Sequence, residues 1–320
     1  MGSKPPLRPA KLGPGSRVAL IAPAGPLLET DDLTRAQELC RALGYEPVLG
    51  QNAHRRLGYL AGTDEERLSD LNRALDDADI DAVWCIRGGY GTVRLLERVD
   101  YAALSRHPKP VIGFSDVTAL LIALNRQSGV ITFHGPVARA SMTKFTRTHF
   151  ERVLTCTERP GQLSRPPLDP DLLVPQTDRI VTLSGGKAEG VLLGGNLSLL
   201  QCLLGTPFFP SLRGALLFLE DVGEDLYRVD RMLAHLRLAG AFSGLSGVLV
   251  GRFTKLERST GDGAFGFDEV LATYFRPLGV PVAYGFPIGH IESQWTLPLG
   301  VRARLDAERG ELELLEPAVA

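Results

Sequence analysis

The chain has 320 residues, 44% of them hydrophobic and 22% charged, with a formal net charge of −2. This is ordinary globular composition, long enough for two cores of moderate size. Its scattered Lys and Arg supply no basic field for nucleic acid, no run of about 18 apolar residues marks a membrane span, and residues 1–15 lack a hydrophobic signal core, which leaves a small molecule or peptide as the expected partner.

From residue 17 to 137, short apolar strands alternate with amphipathic helices. Strands are predicted at 17–22, 46–49, 82–86, 111–114 and 130–133, and helices at 31–43, 64–76 and from 116 onward, with a helix-like run at 92–99. This alternation predicts a parallel sheet covered on both faces, with sites at the carboxyl ends of its strands. Three loops occupy such positions: Ala22-Pro23-Ala24-Gly25, Arg87-Gly88-Gly89-Tyr90-Gly91 and Ser115-Asp116. Between about 139 and 182 the character changes to one helix and then a stretch carrying Pro160, Pro166, Pro167, Pro170 and Pro175, a connector by composition. Beyond it, strands are predicted at 190–193, 215–219, 247–250 and 282–284, with helices at 197–204 and 225–238. The expected organisation is an N-terminal α/β domain (1–138), a connector (139–178) and a mixed α/β C-terminal domain (179–320).

Ser115 sits where the apolar run 111–114 breaks into a helix. Such a turn lifts a hydroxyl above the sheet edge and aims the first N–H groups of the helix at the same point. Ser115 is then either an N-cap or a nucleophile, and a base and an orienting acid elsewhere must decide. The loop 87–91 can line an anion or oxyanion site with its N–H groups, although it lacks the spacing of a dinucleotide fingerprint and the Lys of a phosphate loop.

Of six histidines, His235 reads as a solvated helix residue, and His54, His107 and His149 as surface groups in polar surroundings. His134 and His290 lie in loops able to face a cleft, where an imidazole titrating near neutrality suits a general base. His290 has the denser glycine setting. Glu220, the first charge after the apolar run 215–219, is either a site group or a rim carboxylate paired with a surface Arg, whereas Asp221 suits turn and capping work. The four cysteines, Cys40, Cys85, Cys156 and Cys202, are far apart without metal-ligand spacing and read as buried thiols of a reducing compartment.

Together these segments resemble the LD-carboxypeptidase family of serine peptidases, which includes the microcin C immunity peptidases. The resemblance is carried in order by Ala19-Leu20-Ile21-Ala22-Pro23-Ala24, Arg87-Gly88-Gly89-Tyr90-Gly91, Gly113-Phe114-Ser115-Asp116, His134-Gly135-Pro136, Gly194-Gly195-Asn196-Leu197, Leu219-Glu220-Asp221 and Gly289-His290. It implies a flavodoxin-like N-terminal domain bearing Ser115 and a smaller C-terminal domain bearing Glu220 and His290, with the active site in the cleft between them. It further implies a Ser-Glu-His triad, oxyanion donors at Gly89 and Asp116, and release of the terminal D-alanine from murein tetrapeptides in the cytoplasm by a homodimer needing no metal or organic cofactor. Arg87, Gly88 and Asn196 are the expected substrate contacts, Arg87 being either a cation for the substrate carboxylate or a structural residue. The 157–187 segment has no Trp or Tyr to stack on a nucleobase, which leans toward a muropeptide rather than a microcin substrate. Two rivals differ in kind. An α/β-hydrolase esterase would need the second glycine of G-x-S-x-G, absent here, and a non-catalytic binding module would use the glycine loops to hold a nucleotide or muropeptide.

Overall fold

The computed structural model describes residues 6–167, 179–257 and 265–320; Pro170 and Pro175 of the expected connector lie outside them. The N-terminal half contributes β1 (Arg17–Ile21), α1 (Asp32–Ala42), β2 (Glu46–Leu49), α2 (Asp64–Asp76), β3 (Ala82–Cys85), α3 (Tyr101–Arg106), β4 (Val111–Gly113), α4 (Val117–Ser128) and β5 (Thr132–His134). All pairings among these five strands are parallel, in the order 2-1-3-4-5, the flavodoxin-like arrangement in which ligands gather outside the carboxyl ends of the strands. The loops after β1, β3 and β4 all open at that edge. The run 92–99 differs from expectation: it forms two 3₁₀ turns, Thr92–Arg94 and Leu96–Arg98, because Asp116 captures the N–H groups of Gly91 and Thr92 and fixes the chain's entry there.

The chain continues through α5 (Lys144–Thr155), β6 (Gly161–Gln162), β7 (Val181–Ser184), β8 (Lys187–Asn196), α6 (Leu197–Cys202), β9 (Ala215–Val222), α7 (Leu226–Leu238), β10 (Gly247–Thr254), α8 (Phe267–Phe275), β11 (Val282–Tyr284), β12 (Leu297–Leu299), β13 (Arg302–Asp306) and β14 (Glu311–Leu314). The second sheet runs β6-β14-β13-β8-β9-β10-β11-β7, parallel from β8 to β11 and antiparallel at both flanks. Strand β12 leaves it and pairs antiparallel with β5 of the first sheet. Both sheets share one continuous apolar core. Helix α4 joins them: residues 117–124 are all buried, since the helix covers β4 and β5 on one side and meets β8 on the other. A helix buried all round needs no polar stripe, which is why its sequence is almost uninterruptedly apolar. The cysteines divide: Cys40 and Cys85 are buried as expected, but Cys156 is half-buried and Cys202 is exposed, because the helical turns they end carry them out of the apolar stripe.

Helix α2 shows how local chemistry is tied to the site. Thr63 caps it by accepting from Glu66 N, while the Glu66 carboxylate accepts from Thr63 N at 2.8 Å, a reciprocal box that satisfies two orphan donors. Its inward face carries Leu68, Leu71, Ala74 and Leu75, and also Arg67, only 1% exposed. The Arg67 guanidinium donates to the carbonyls of Pro23 and Gly91 and pairs with Asp64, so one buried cation clamps the loop after β1 to the loop after β3. Arg67→Met should cost about 3–5 kcal/mol, because two buried carbonyls lose their donor. Thr63→Ala should cost only about 1 kcal/mol. Urea denaturation of the two variants checks the ranking.

Candidate active site

Ser115 follows β4 and Phe114 and has φ +64°. For a residue with a Cβ this left-handed conformation costs roughly 1–2 kcal/mol, and the surrounding turn enforces it: Thr118 N donates to Ser115 O at 2.9 Å and Val117 N to Phe114 O at 3.3 Å as α4 begins. The N-cap position belongs to Asp116, whose side chain makes no capping bond to the helix, so Ser115 is not the N-cap considered for it. Gly88 lies against the serine; a Cβ there would fall 2.9 Å from Ser115 Cβ, 3.1 Å from Oγ and 3.4 Å from Asp116 N. Only a glycine lets the backbone of the loop come this close to the hydroxyl. Among the described residues, the amide N–H groups of Gly89 and Asp116 meet no protein acceptor, and both flank this point.

Asp116 also has a role its sequence position did not suggest. Its carboxylate, 1% exposed, accepts from Gly91 N at 3.1 Å and Thr92 N at 2.9 Å, and Thr92 Oγ1 donates to its carbonyl at 2.6 Å. Burial raises this carboxyl's pKa, opposed by those bonds from Thr92 and Gly91. Asp116 thereby ties the glycine loop to the turn of Ser115.

The second sheet brings the other two candidates together. Strand β9 runs past the predicted end at Leu219, so Glu220 lies inside the strand, 0% exposed. His290 Nδ1 lies 2.8 Å from Glu220 Oε2. A carboxylate can only accept, so the proton sits on Nδ1, and Nε2 is left as the free base nitrogen. Burial raises the Glu220 carboxyl above its usual range, countered by His290 and Asn196. Gly289, at φ +113°, makes the approach possible, since a Cβ there would lie 2.7 Å from Glu220 Oε2. The imidazole remains partly exposed, its side chain at 21%, and packs on Phe114 with ring centroids 4.7 Å apart, which sets it beside the residue preceding Ser115. No hydrogen bond joins Ser115 to His290 among the described residues.

His134, the other candidate base, ends β5 opposite Gly113 and is 1% exposed. It lies between Phe114 and Phe218, at ring distances of 5.9 and 5.2 Å, with neither ring nitrogen hydrogen-bonded among the described residues. Asn196 is also committed: its side chain caps α6 by accepting from Leu199 N and donates to Asp221 at 2.8 Å, while its N–H donates to Thr118 Oγ1 at 3.1 Å. Asp221 accepts from Ser198 N and Oγ, so it serves the start of α6 and not the helix from Asp225 that its place in the sequence suggested. Arg87 is half-buried and donates to Pro26 O. His149 differs from expectation. It is buried on the inward face of α5, with Nδ1 2.9 Å from Phe145 O and Nε2 3.2 Å from Ser164 Oγ, because the polar neighbours in its sequence occupy the opposite helix face. Arg67 was missed; its signal was a lone cation within the apolar stripe of α2.

Burial, with a contribution from His290, pushes the His134 pKa down to about 3, against about 6.5 in an unfolded chain. Between these values the unfolded state holds one more proton, so folding stability falls as pH drops through that window. His134→Phe should flatten this dependence, giving a smaller loss of unfolding free energy between pH 6.5 and 4 than the unaltered protein shows in denaturant titrations.

Known proteins match this chain along most of its length. Residues 18–135 match the LD-carboxypeptidase N-terminal domain and residues 189–305 the LD-carboxypeptidase C-terminal domain. The chain is 37% identical over 300 residues to the murein tetrapeptide carboxypeptidase of Pseudomonas aeruginosa, covering 92% of this chain and 94% of that protein. Among solved structures, wild-type microcin C7 self-immunity protein MccF in its apo state superposes with a TM-score of 0.88 at 26% identity, covering 98% of this chain and 100% of that one. The muramoyltetrapeptide carboxypeptidase of Oxalobacter formigenes superposes with a TM-score of 0.77 at 32% identity, covering 93% and 98%. The chain is therefore a serine-type carboxypeptidase and belongs to the LD-carboxypeptidase family.

Proposed function

We propose that this protein hydrolyses the L,D peptide bond of murein tetrapeptides and releases the terminal D-alanine, using Ser115, His290 and Glu220 as nucleophile, base and orienting acid. The observation that carries the reading is the buried Glu220–His290 pair, whose free imidazole nitrogen is presented beside the strained turn of Ser115. His290 Nε2 takes the proton from Ser115 as Oγ attacks the carbonyl carbon. The N–H groups of Gly89 and Asp116 receive the negative charge that develops on the carbonyl oxygen. His290 then protonates the leaving amine of D-alanine, and the same imidazole activates the water that hydrolyses the acyl-serine ester. Glu220 holds the Nδ1–H tautomer and stabilises the imidazolium. With this reading go a role in cell-wall recycling, a cytoplasmic setting and a homodimer.

A microcin-type substrate is the second reading, supported by the close superposition on MccF. The first is favoured by the greater sequence identity to the murein enzyme and by the lack of Trp and Tyr in 157–187.

Mass spectrometry of a murein tetrapeptide incubated with the protein should show loss of one alanine, and an all-L tetrapeptide should be a poor substrate, because the wrong stereocentre displaces the scissile carbonyl from its donors. Ser115→Ala and His290→Ala should each lower kcat by roughly three to six orders of magnitude, and the double variant should add little, since nucleophile and base act as a unit. Glu220→Gln should be damaging but milder. His134→Ala should retain measurable turnover. If His134→Ala is as inactive as Ser115→Ala while His290→Ala keeps near-normal kcat, the base is misassigned.

A further inference from the structure

Beside Ser115, the loops after β1 and β3 meet edge to edge and leave a hollow of about 360 Å³. Its floor is backbone at Gly25 and Gly89, its charged wall is Arg56 and Arg87, and its rim is Tyr59 and Tyr90. The two tyrosines are 67% and 47% exposed and stack edge to face with centroids 5.6 Å apart. Gly89, which lines the hollow, is next in the chain to Gly88, the residue pressed against Ser115.

Positive charge here is not neutralised. Arg56 makes no ion pair among the described residues, and Arg87 uses one donor on the Pro26 carbonyl. Arg139 adds a like charge that Arg87 feels. The carboxylate whose charge reaches Arg87 is Asp32, and it is already engaged: Oδ2 accepts from Leu28 N and Glu29 N at 2.9 and 3.2 Å, and Oδ1 from Arg139 at 3.3 Å. Asp32 is thus taken up by Arg139 and by backbone N–H groups, and no carboxylate pairs with Arg56 or Arg87 among the described residues. Burial and the like charges of Arg139 and Arg56 lower the Arg87 pKa, with Asp32 opposing, as expected of a cation cluster that lacks its anion. Two guanidiniums lining a hollow that aromatic rings also line match a planar carboxylate better than they match a neutral amide.

We propose that this hollow is the subsite for a carboxylate of the peptide substrate, held by Arg56 and Arg87 while the scissile carbonyl lies over Ser115. The proposal rests on the peptidase reading above and adds to it a requirement for substrate charge. The carboxylate can be the C-terminal one, on the leaving residue, or a side-chain one on the acyl side. Either would explain why the enzyme places uncompensated cations next to its glycine loop.

The test is calorimetric binding to the full-length Ser115→Ala protein, using a murein tetrapeptide, the same peptide with its C-terminal carboxylate amidated, and the same peptide with its internal carboxylates amidated. One of the two amidations should weaken binding by about tenfold or more, and which one does so identifies the carboxylate. Arg56→Gln, at an exposed position, should weaken binding of the acid about tenfold and leave binding of that sensitive amide unchanged. Equal affinity for all three peptides, or equal weakening of acid and amide by Arg56→Gln, overturns the subsite. Cleavage of the tetrapeptide by the unaltered protein is measured in parallel. Discrimination without cleavage would leave the subsite standing and remove the peptidase reading, whereas cleavage without discrimination would remove the subsite alone.

Discussion

A carboxylate sealed from water at Glu220 has one imidazole N–H to answer it, and the geometry of the site follows from that pairing. An unpaired buried charge is expensive by several kcal/mol, so His290 is held where Glu220 needs it. Gly289 must lack a side chain for the two to meet. The same bond assigns the imidazole proton to Nδ1 and turns the other nitrogen outward, beside Phe114. An interaction that stabilises the second sheet thus orients a group toward the first.

That orientation has meaning only if the two sheets keep their relative position, and α4 sees to this. Its apolar surface is buried on both sides, and the hydrogen bond from Asn196 N to Thr118 Oγ1 registers the end of β8 against its first turn. Ser115 stands at the start of that helix. Strain at its left-handed backbone is held by the turn it belongs to and by the glycine loop, which Asp116 and Arg67 secure from two directions. Neither residue touches the serine hydroxyl, and both determine what surrounds it.

Family membership and local physics explain different things. Kinship with LD-carboxypeptidases covers both halves of the chain. The need to hold a strained serine, a buried acid and a shared helix in register accounts for why the motifs around them are rich in glycine and small polar residues. Arg56 and Arg87 belong to neither category: neither makes an ion pair among the described residues, while Asp32 is taken up by Arg139.

The parallel strands of the first sheet, the helices between them and the three loops at its carboxyl edge were readable from sequence, because alternating apolar strands and amphipathic helices carry strong periodic signals. The motifs containing Ser115, Glu220 and His290 were readable for a related reason: each is a polar residue interrupting an apolar or glycine-rich run. Short flanking strands such as β6, β7, β12, β13 and β14 were not, since strands of two to five residues have little periodicity and are formed by their partners. Burial of His149, the clamp by Arg67 and the isolation of His134 also depended on tertiary structure. A histidine at the end of a strand reads the same whether its ring enters a cleft or a core, and only packing distinguishes His290, with a carboxylate and access to solvent, from His134, wedged between two phenylalanines with neither. Sequence determined which residues were chemically capable; tertiary structure decided which of them meet, the second sheet by joining Glu220 to His290, 70 positions away, and its seating on α4 by setting that pair beside Phe114, because long-range packing leaves no local trace.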